Sequence, residues 1–224
     1  QQVTLRSWQR DSAGSFDAVT ETALIAGCVV TLGIVLTLGC LEAEERHNLR
    51  LTSKGMWLLY LPLLVPQTAF IPGLQTLLLN FGLETGRGAV ILAHLVFVLP
   101  YLRLSLQDPW MQWDRRQAVS SAALGASPRR IFWRVRLPML LAPILTAIAV
   151  GVAVSVGQYL PTLLIGGGRV ETLTTEAVAL ASGGDRRAIG VFGLLQTAAA
   201  LLPFAIALVV PAVIWRNRKG LRHG

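Results

Sequence analysis

Residues 118–138 read AVSSAALGASPRRIFWRVRLP and lie between two strongly apolar segments of the chain. Their first seven residues are small or aliphatic and favour a helix, which Gly125 interrupts. Ser127 predicts the N-cap of a second helix, with Pro128 at its first position, where the missing N–H costs nothing. Two short helices that meet at a glycine predict a compact turn, which we call the elbow (residues 118–138).

The second helix of the elbow is predicted to be amphipathic. Ile131, Phe132 and Val135 share one side of it. Four arginines spread over the rest of the surface: Arg129, Arg130, Arg134 and Arg136. The elbow is too polar to cross a bilayer and too apolar to stay free in water, which indicates that it docks against another molecule.

The elbow resembles the cytoplasmic EAA loop found in permeases of bacterial type I ABC importers. The matching positions, all at the family's spacing, are Gly125-Ala126-Ser127, Phe132, Arg134-Val135 and Leu137-Pro138. The resemblance implies an all-α polytopic membrane bundle of the MetI-like type I ABC transmembrane class. Such a bundle has about five transmembrane helices and a cytoplasmic coupling-helix loop. One position departs from the family, because Val119 stands where the family has an acidic residue.

In that family the loop seats in a cleft of a separate ATPase subunit. The resemblance therefore implies that ATP is hydrolysed by a partner chain, and that no catalytic residue, metal or cofactor is expected here. It assigns ATPase docking to Ala118, Ala122, Leu124, Gly125, Ala126, Ser127, Pro128, Ile131, Phe132, Arg134, Val135, Leu137 and Pro138. An ordinary basic helix at the membrane interface is the alternative interpretation of the same pattern.

The composition is that of a membrane protein. The 224 residues are 53% hydrophobic and 14% charged, and the mean hydropathy is +0.57. Long runs without Asp, Glu, Lys or Arg predict five transmembrane spans. These runs are residues 23–41, 55–83, 88–102, 139–160 and 188–215.

Charged residues and prolines in the first half of the chain indicate where the first three predicted spans end or bend. Residues 42–54 are dense in charge and are predicted to lie in water. Pro62, Pro66 and Pro72 are predicted to kink the second span or to make its helix start late. Arg103 is predicted to extend its side chain from the end of the third span to the membrane interface.

The region after the elbow carries a stripe of small residues at Ala147, Gly151 and Ser155. This four-residue spacing allows another helix to approach closely, and we interpret it as helix packing rather than as a ligand surface. Residues 161–187 are predicted to be a connection with glycine-rich ends and a short central helix. Thr174 is the predicted N-cap of that helix.

The positions of the basic residues predict the orientation in the membrane. Thirteen Lys and Arg lie on the side of the elbow and six on the other side, with Arg103 at the boundary. The positive-inside rule then places the elbow in the cytoplasm, and the same placement argues against a nucleic-acid surface despite the net charge of +8. The predicted divisions are an external polar segment (1–17), an ABC type-1 transmembrane domain (18–215) and a cytoplasmic basic tail (216–224).

The polar groups inside the predicted spans are few. All twelve carboxylates lie outside the uncharged runs or at their edges, whereas a proton-coupled carrier usually keeps one in mid-membrane. His94 is interpreted as a buried histidine bonded to a neighbouring helix, although a proton-coupled carrier or an intramembrane enzyme using it is the alternative function. A possible substrate path is formed by Gln67, Thr68, His94, Gln158 and Gln196.

The predicted function is that of a multi-pass permease subunit in a bacterial inner membrane, conducting a small polar solute. Its expected partners are an ABC ATPase subunit, a solute-binding protein, the lipid bilayer and a second permease half or subunit. The start at Gln1 predicts a partner half fused upstream or supplied separately, which would pack against the small-residue stripe. The stretch GGGRVETLTTE (166–176) resembles an external loop of fused thiamine and ferric-ion permeases, and we favour the thiamine-like branch.

Overall fold

In a computed structural model, the chain is described at residues 6–49, 51–183, 186–214 and 216. All regular structure in these ranges is helical, so the all-α prediction is confirmed for them. The elements are α1 (Arg6–Arg46), α2 (Ser53–Leu64), α3 (Gln67–Asn80), α4 (Arg87–Met111), α5 (Arg116–Ala123), α6 (Pro128–Ile131), a π-helical turn (Phe132–Arg136), α7 (Leu137–Met139), α8 (Leu141–Val156), α9 (Leu160–Gly166), α10 (Leu173–Gly183) and α11 (Arg186–Ile214).

Between three and five of the predicted spans can be recognised in the described residues. Three helices are long and apolar enough to cross a membrane: Ser15–Arg46, Arg87–Met111 and Ile189–Ile214. Two further spans are obtained if each bent helix pair is counted as one. The pairs are α2 with α3, bent by 119°, and Pro128–Met139 with α8, bent by 71°. The prediction of five spans agrees with the upper count in number, but the predicted fourth span (139–160) corresponds only to the α8 part of the second pair.

Proline breaks the second predicted span at one point. Helix α2 ends at Leu64, Val65 is extended (φ −95°, ψ 133°), and Pro66 is the N-cap of α3. A residue before proline is pushed out of the helical region by the proline ring, which explains the extended backbone. Pro62 and Pro72 remain inside their helices.

Residues 42–54, which are predicted to lie in water, begin inside helix α1. Helix α1 continues to Arg46, and the half-buried carboxylates of Glu42, Glu44 and Glu45 form ion pairs with later parts of the chain. The prediction that Arg103 extends its side chain to the membrane interface was wrong. The side chain is buried, and its two terminal nitrogens each lie 2.8 Å from a carboxylate oxygen of Glu44. A charge can be buried when a partner satisfies it, and the partner was not visible in the sequence.

The core forms where α1, α4 and α8 meet. Leu102 of α4 is fully buried between Gly33 of α1 and Gly151 of α8. A Cβ atom at Gly151 would lie 3.0 Å from Leu102 Cδ2 and 3.1 Å from Val30 Cγ2. The helix-packing interpretation of the small-residue stripe is confirmed. The expectation that this face packs against a partner half was wrong, because α1 and α4 already cover it.

The connection after α8 contains more helix than predicted. Helix α9 occupies Leu160–Gly166, and α10 covers the short helix that was expected. The predicted cap was wrong: Thr172 Oγ1 accepts from the N–H of Thr175 at 3.4 Å, and the Thr172 N–H donates to Thr175 Oγ1 at 2.8 Å. Thr174 instead donates its hydroxyl to the carbonyl of Val156, which ties α10 to the end of α8.

Candidate functional site

The first helix of the elbow, α5, ends in a tight turn at Gly125. Helix α5 ends at Ala123, and Gly125 takes the left-handed conformation with φ +80°. Its N–H donates to the Ala122 carbonyl at 2.9 Å, and the N–H of Ala126 donates to the Ser121 carbonyl at 3.0 Å. This pair of bonds is a Schellman motif, which satisfies the last carbonyls of a helix. The predicted glycine break is confirmed.

The second half of the elbow begins with the predicted cap. Ser127 is the N-cap of α6, its hydroxyl oxygen lies 3.4 Å from the Arg130 N–H, and Pro128 occupies the first turn. The sequence did not predict the π-helical turn that follows, in which the Leu137 N–H donates to the Phe132 carbonyl. Pro138 cannot donate to the carbonyl four residues earlier, so a regular α-helix could not continue through it unchanged.

All thirteen predicted docking residues lie on this one continuous feature, and they divide by exposure. Leu124 at the tip of the turn is 89% exposed. The other exposed members are Ala122, Gly125, Ser127, Pro128, Arg134 and Pro138. The half-buried members are Ala118, Ala126, Ile131, Phe132, Val135 and Leu137. Phe132 and Leu137 pack against the core cluster of α1, α4 and α8, so one side of the elbow is anchored and the tip is free.

A cavity of about 410 Å³ lies between the elbow and the end of α1. Its apolar wall is built by α5, α6 and the π-helical turn, and includes Val119, Ile131 and Phe132. Its polar wall comes from α1, with Glu42 and Glu45. Val119, which replaces the family's acidic residue, therefore lies in the same cavity as two carboxylates from another helix.

Arg136 anchors the elbow, and the sequence did not single it out. Its guanidinium carbon lies 3.8 Å from the centroid of the Trp110 ring and 4.8 Å from that of Trp113. Its nitrogens pair with Glu42 at 3.1 Å and with Glu45. The side chain is only 6% exposed. The one feature of the sequence that could have indicated a buried partner for Arg136 was the acidic run EAEER (42–46), directly after an apolar span.

His94 is held by hydrogen bonds at both ring nitrogens. Nδ1 lies 3.0 Å from Ser155 Oγ, and Nε2 lies 2.9 Å from Thr162 Oγ1. Thr162 gives its only hydroxyl proton to the Gln158 carbonyl at 2.6 Å, so it must accept from His94 Nε2–H. Nδ1 then accepts from Ser155. The ring is 2% exposed and joins α4 to α8 and α9, as the structural interpretation predicts.

The structure brings together three of the five predicted path residues. Gln67 Nε2 donates to Gln158 Oε1 at 3.1 Å, and the Gln158 carbonyl is in turn bonded to the His94 network. This contact joins the break between α2 and α3 to the break between α8 and α9. Thr68 is exposed beside Gln67, whereas Gln196 lies half-buried on α11, outside this chain of bonds. In the described ranges, no group of three His, Cys, Asp or Glu could hold a metal ion.

Comparisons with known proteins agree with this architecture. The inner membrane ABC transporter permease protein YnjC of Escherichia coli K12 is 41% identical over 169 residues, which cover 75% of this chain and 33% of that protein. A PotC homolog of Mycoplasma pneumoniae, named a spermidine/putrescine transport system permease protein, is 28% identical over 144 residues, 64% of this chain and 50% of its own length. The molybdenum transport system permease protein ModB of Mycobacterium tuberculosis is 27% identical over 227 residues, 91% of this chain and 85% of ModB.

The chain thus spans a third to a half of the length of the first two relatives. All three relatives are named as permease proteins of transport systems, and permeases are not themselves enzymes. The family described as the binding-protein-dependent transport system inner membrane component matches residues 30–215, which include α2 to α11 and the second part of α1 from residue 30 onward. The chain belongs to this family of inner membrane transport components.

Proposed function

We propose that this chain is the transmembrane permease part of an ATP-driven ABC importer, and that the elbow docks into an ATPase subunit. The observation that carries the proposal is the geometry of the elbow. Its tip exposes Leu124 on a turn held by the Schellman bonds, while its other side is fixed to the membrane core by Phe132 and Arg136. A rigid apolar tip on an anchored base can receive a displacement from a partner and pass it to the spans.

The alternative function, a proton-coupled carrier or an intramembrane enzyme acting through His94, gains no support from the geometry. Both ring nitrogens are already bonded to hydroxyls of this chain, and the ring is buried. A proton carrier must exchange its proton with a path to water, and a catalytic base must reach substrate. His94 does neither in this arrangement.

The test of docking is copurification of the ATPase with a tagged full-length chain in mild detergent. Replacing the exposed Leu124 by Asp is expected to lower ATPase recovery about tenfold, because a charge at the apolar tip would have to be desolvated on docking. Leu49→Asp is the matched control, since Leu49 is also exposed (60%) but lies outside the elbow. Unchanged recovery with Leu124→Asp and reduced recovery with Leu49→Asp would place the docking surface elsewhere.

The proposed orientation puts the elbow and the C-terminus in the cytoplasm, supported by the distribution of basic residues. Single cysteines replace Ser53 and Glu171, which are both exposed, in a background where Cys28 and Cys40 are changed to Ala. An impermeant maleimide applied to intact cells is expected to label Glu171→Cys at once and Ser53→Cys only after permeabilisation. Labelling of both cysteines from outside would contradict the five-span topology. Neither substitution removes a Lys or Arg, so the charge bias is unchanged.

The transported solute is proposed to be small and polar, with a thiamine-like cation as the finer proposal. The side chains at the joined helix breaks, Gln67 and Gln158, support a polar solute because an amide offers both hydrogen-bond donors and acceptors without a charge. Relatives are named for spermidine/putrescine and for molybdenum transport. An uptake panel of labelled thiamine, putrescine, spermidine and molybdate separates these classes.

The remaining partners follow from the type I architecture. ATP is bound between two ATPase subunits, and each needs its own coupling loop. The described residues contain one elbow, so we propose that a second permease half or subunit supplies the other. A solute-binding protein would deliver the solute on the opposite side of the membrane.

A further inference from the structure

The end of α1 is tied to three later parts of the chain by ion pairs. Glu44 holds Arg103 of α4, Glu45 holds Arg115 before α5 at 3.4 Å, and both Glu42 and Glu45 hold Arg136 at the end of the π-helical turn. Of the three arginines, only Arg136 belongs to the elbow. Glu42 and Arg136 are separated by 94 residues, so this contact is a direct bridge between the elbow and the first span.

The bridge matters because the covalent connections of the elbow are not continuous helix. Before α5 the chain passes through the non-helical residues 112–115. After α7, Leu140 leaves helical geometry (φ −90°, ψ 13°), and the helix axis bends by 71° before α8. A displacement applied at Leu124 could therefore be absorbed by rotation at these two breaks. Only contacts across space can make the elbow and the spans move together.

Arg136 makes contacts of this kind between the elbow and the spans. Its guanidinium stacks on two tryptophan rings and donates to two carboxylates and to the Trp110 carbonyl, which lies 3.3 Å away. A planar guanidinium that contacts two aromatic rings and donates from both terminal nitrogens has little rotational freedom. The π-helical turn contributes to this placement, because one extra residue per turn rotates the following side chains by about 100° around the axis.

We propose that Arg136 is a positioning residue that locks the elbow to α1, so that movement of the elbow by the ATPase is passed along the first span. Helix α1 packs against α4, α8, α10 and α11, so its displacement reaches most of the bundle. This inference rests on the proposed function, because it requires an ATPase at the elbow. It assigns the transmission of movement to a side chain that does not itself dock.

The test measures whether nucleotide bound at the ATPase changes the far end of α1. A cysteine replaces the exposed Thr20, with Cys28 and Cys40 changed to Ala, in the complete permease–ATPase complex. Its reaction rate with maleimide is measured with and without ATP plus vanadate. The wild-type complex is expected to show a rate change of about fivefold or more, and Arg136→Gln is expected to abolish it while the ATPase still copurifies.

Arg46→Gln is the matched control. Arg46 pairs with the same Glu42 at 2.6 Å, but it lies on α1 itself. Its loss therefore removes an ion pair of Glu42 and leaves the contact between α1 and Arg136 in place. It is expected to keep the wild-type response. If Arg136→Gln does not fold, Glu42→Gln combined with Glu45→Gln removes the α1 side of the bridge and is expected to give the same loss.

The outcomes separate the two proposals. A wild-type nucleotide response in Arg136→Gln, or in the double Glu variant, would overturn the role of Arg136 and leave ATPase docking intact. A failure of any ATPase to copurify with the wild-type chain would instead overturn the proposed function. Loss of the response in both Arg136→Gln and Arg46→Gln would also overturn the inference, because it would show a general sensitivity of this region to charge.

Discussion

Replacing Gly125 by Val is expected to uncouple most transport from ATP hydrolysis while the chain still inserts into the membrane. The reason is backbone strain and not a lack of space, because a Cβ atom at Gly125 would meet nothing within 4 Å. A β-branched residue at φ +80° is strained by about 1–3 kcal/mol, which opening the turn would relieve. Opening it breaks the two Schellman bonds and moves Leu124 away from its place at the tip.

The measurement compares ATP hydrolysis and solute uptake by the reconstituted complex, using the solute found in the uptake panel. Gly125→Val is expected to lower uptake per ATP hydrolysed by at least about tenfold. Gly125→Asn should retain most coupling, because asparagine tolerates this conformation better than other non-glycine residues. Gly82→Val is the matched control, since Gly82 also has a positive φ (+72°) and open space but lies outside the elbow. Wild-type coupling in Gly125→Val would mean that the turn does not transmit the movement.

The parts of the elbow that could be predicted are those set by neighbours in the sequence. A glycine after a run of helix formers, and a Ser-Pro pair before an amphipathic stretch, determine their own capping bonds within five residues. Gly125, Ser127 and Pro128 therefore behave as predicted. The π-helical turn depends on how the chain enters α8 in three dimensions, and no local sequence pattern predicts it.

The side-chain bonds that anchor the elbow and join the helix breaks escaped prediction because their partners lie far apart in the sequence. The partners Arg136 and Glu42 are separated by 94 residues, and Gln67 and Gln158 by 91. From sequence alone an unpaired charge beside an apolar run is correctly assigned to water, since its burial without a partner is costly. Arg103 and Glu44 at the acidic end of α1 are exceptions to this rule, because they form an ion pair with each other. Each one supplies the partner that makes burial of the other possible.

Replacing Gly33 by Val is expected to destabilise the whole bundle, because Gly33 of α1 lies directly against the Leu102 side chain of α4. A Cβ atom there would lie 2.5 Å from Leu102 Cδ1, closer than real contacts allow. A leucine side chain can often rotate away, but Leu102 is fully buried and its other methyl group already faces Gly151. Overpacking of this kind costs roughly 1–3 kcal/mol or more. The measurement is the temperature at which the detergent-solubilised protein stops eluting as a single species.

Two glycines of the same helix make this prediction specific. A Cβ atom at Gly27 or at Gly39 would meet nothing within 4 Å, so valine at either site carries the same helix propensity but no clash. Both variants should melt close to the wild-type temperature. Shortening the obstructing side chain should also restore part of the loss, so that Gly33→Val with Leu102→Ala melts above Gly33→Val alone. Leu102→Ala by itself leaves a cavity and costs about 2–5 kcal/mol, so recovery in the double variant requires direct contact between the two sites. Equal melting temperatures of the Gly33→Val and Gly27→Val variants would show that α1 and α4 are not packed through Gly33 and Leu102.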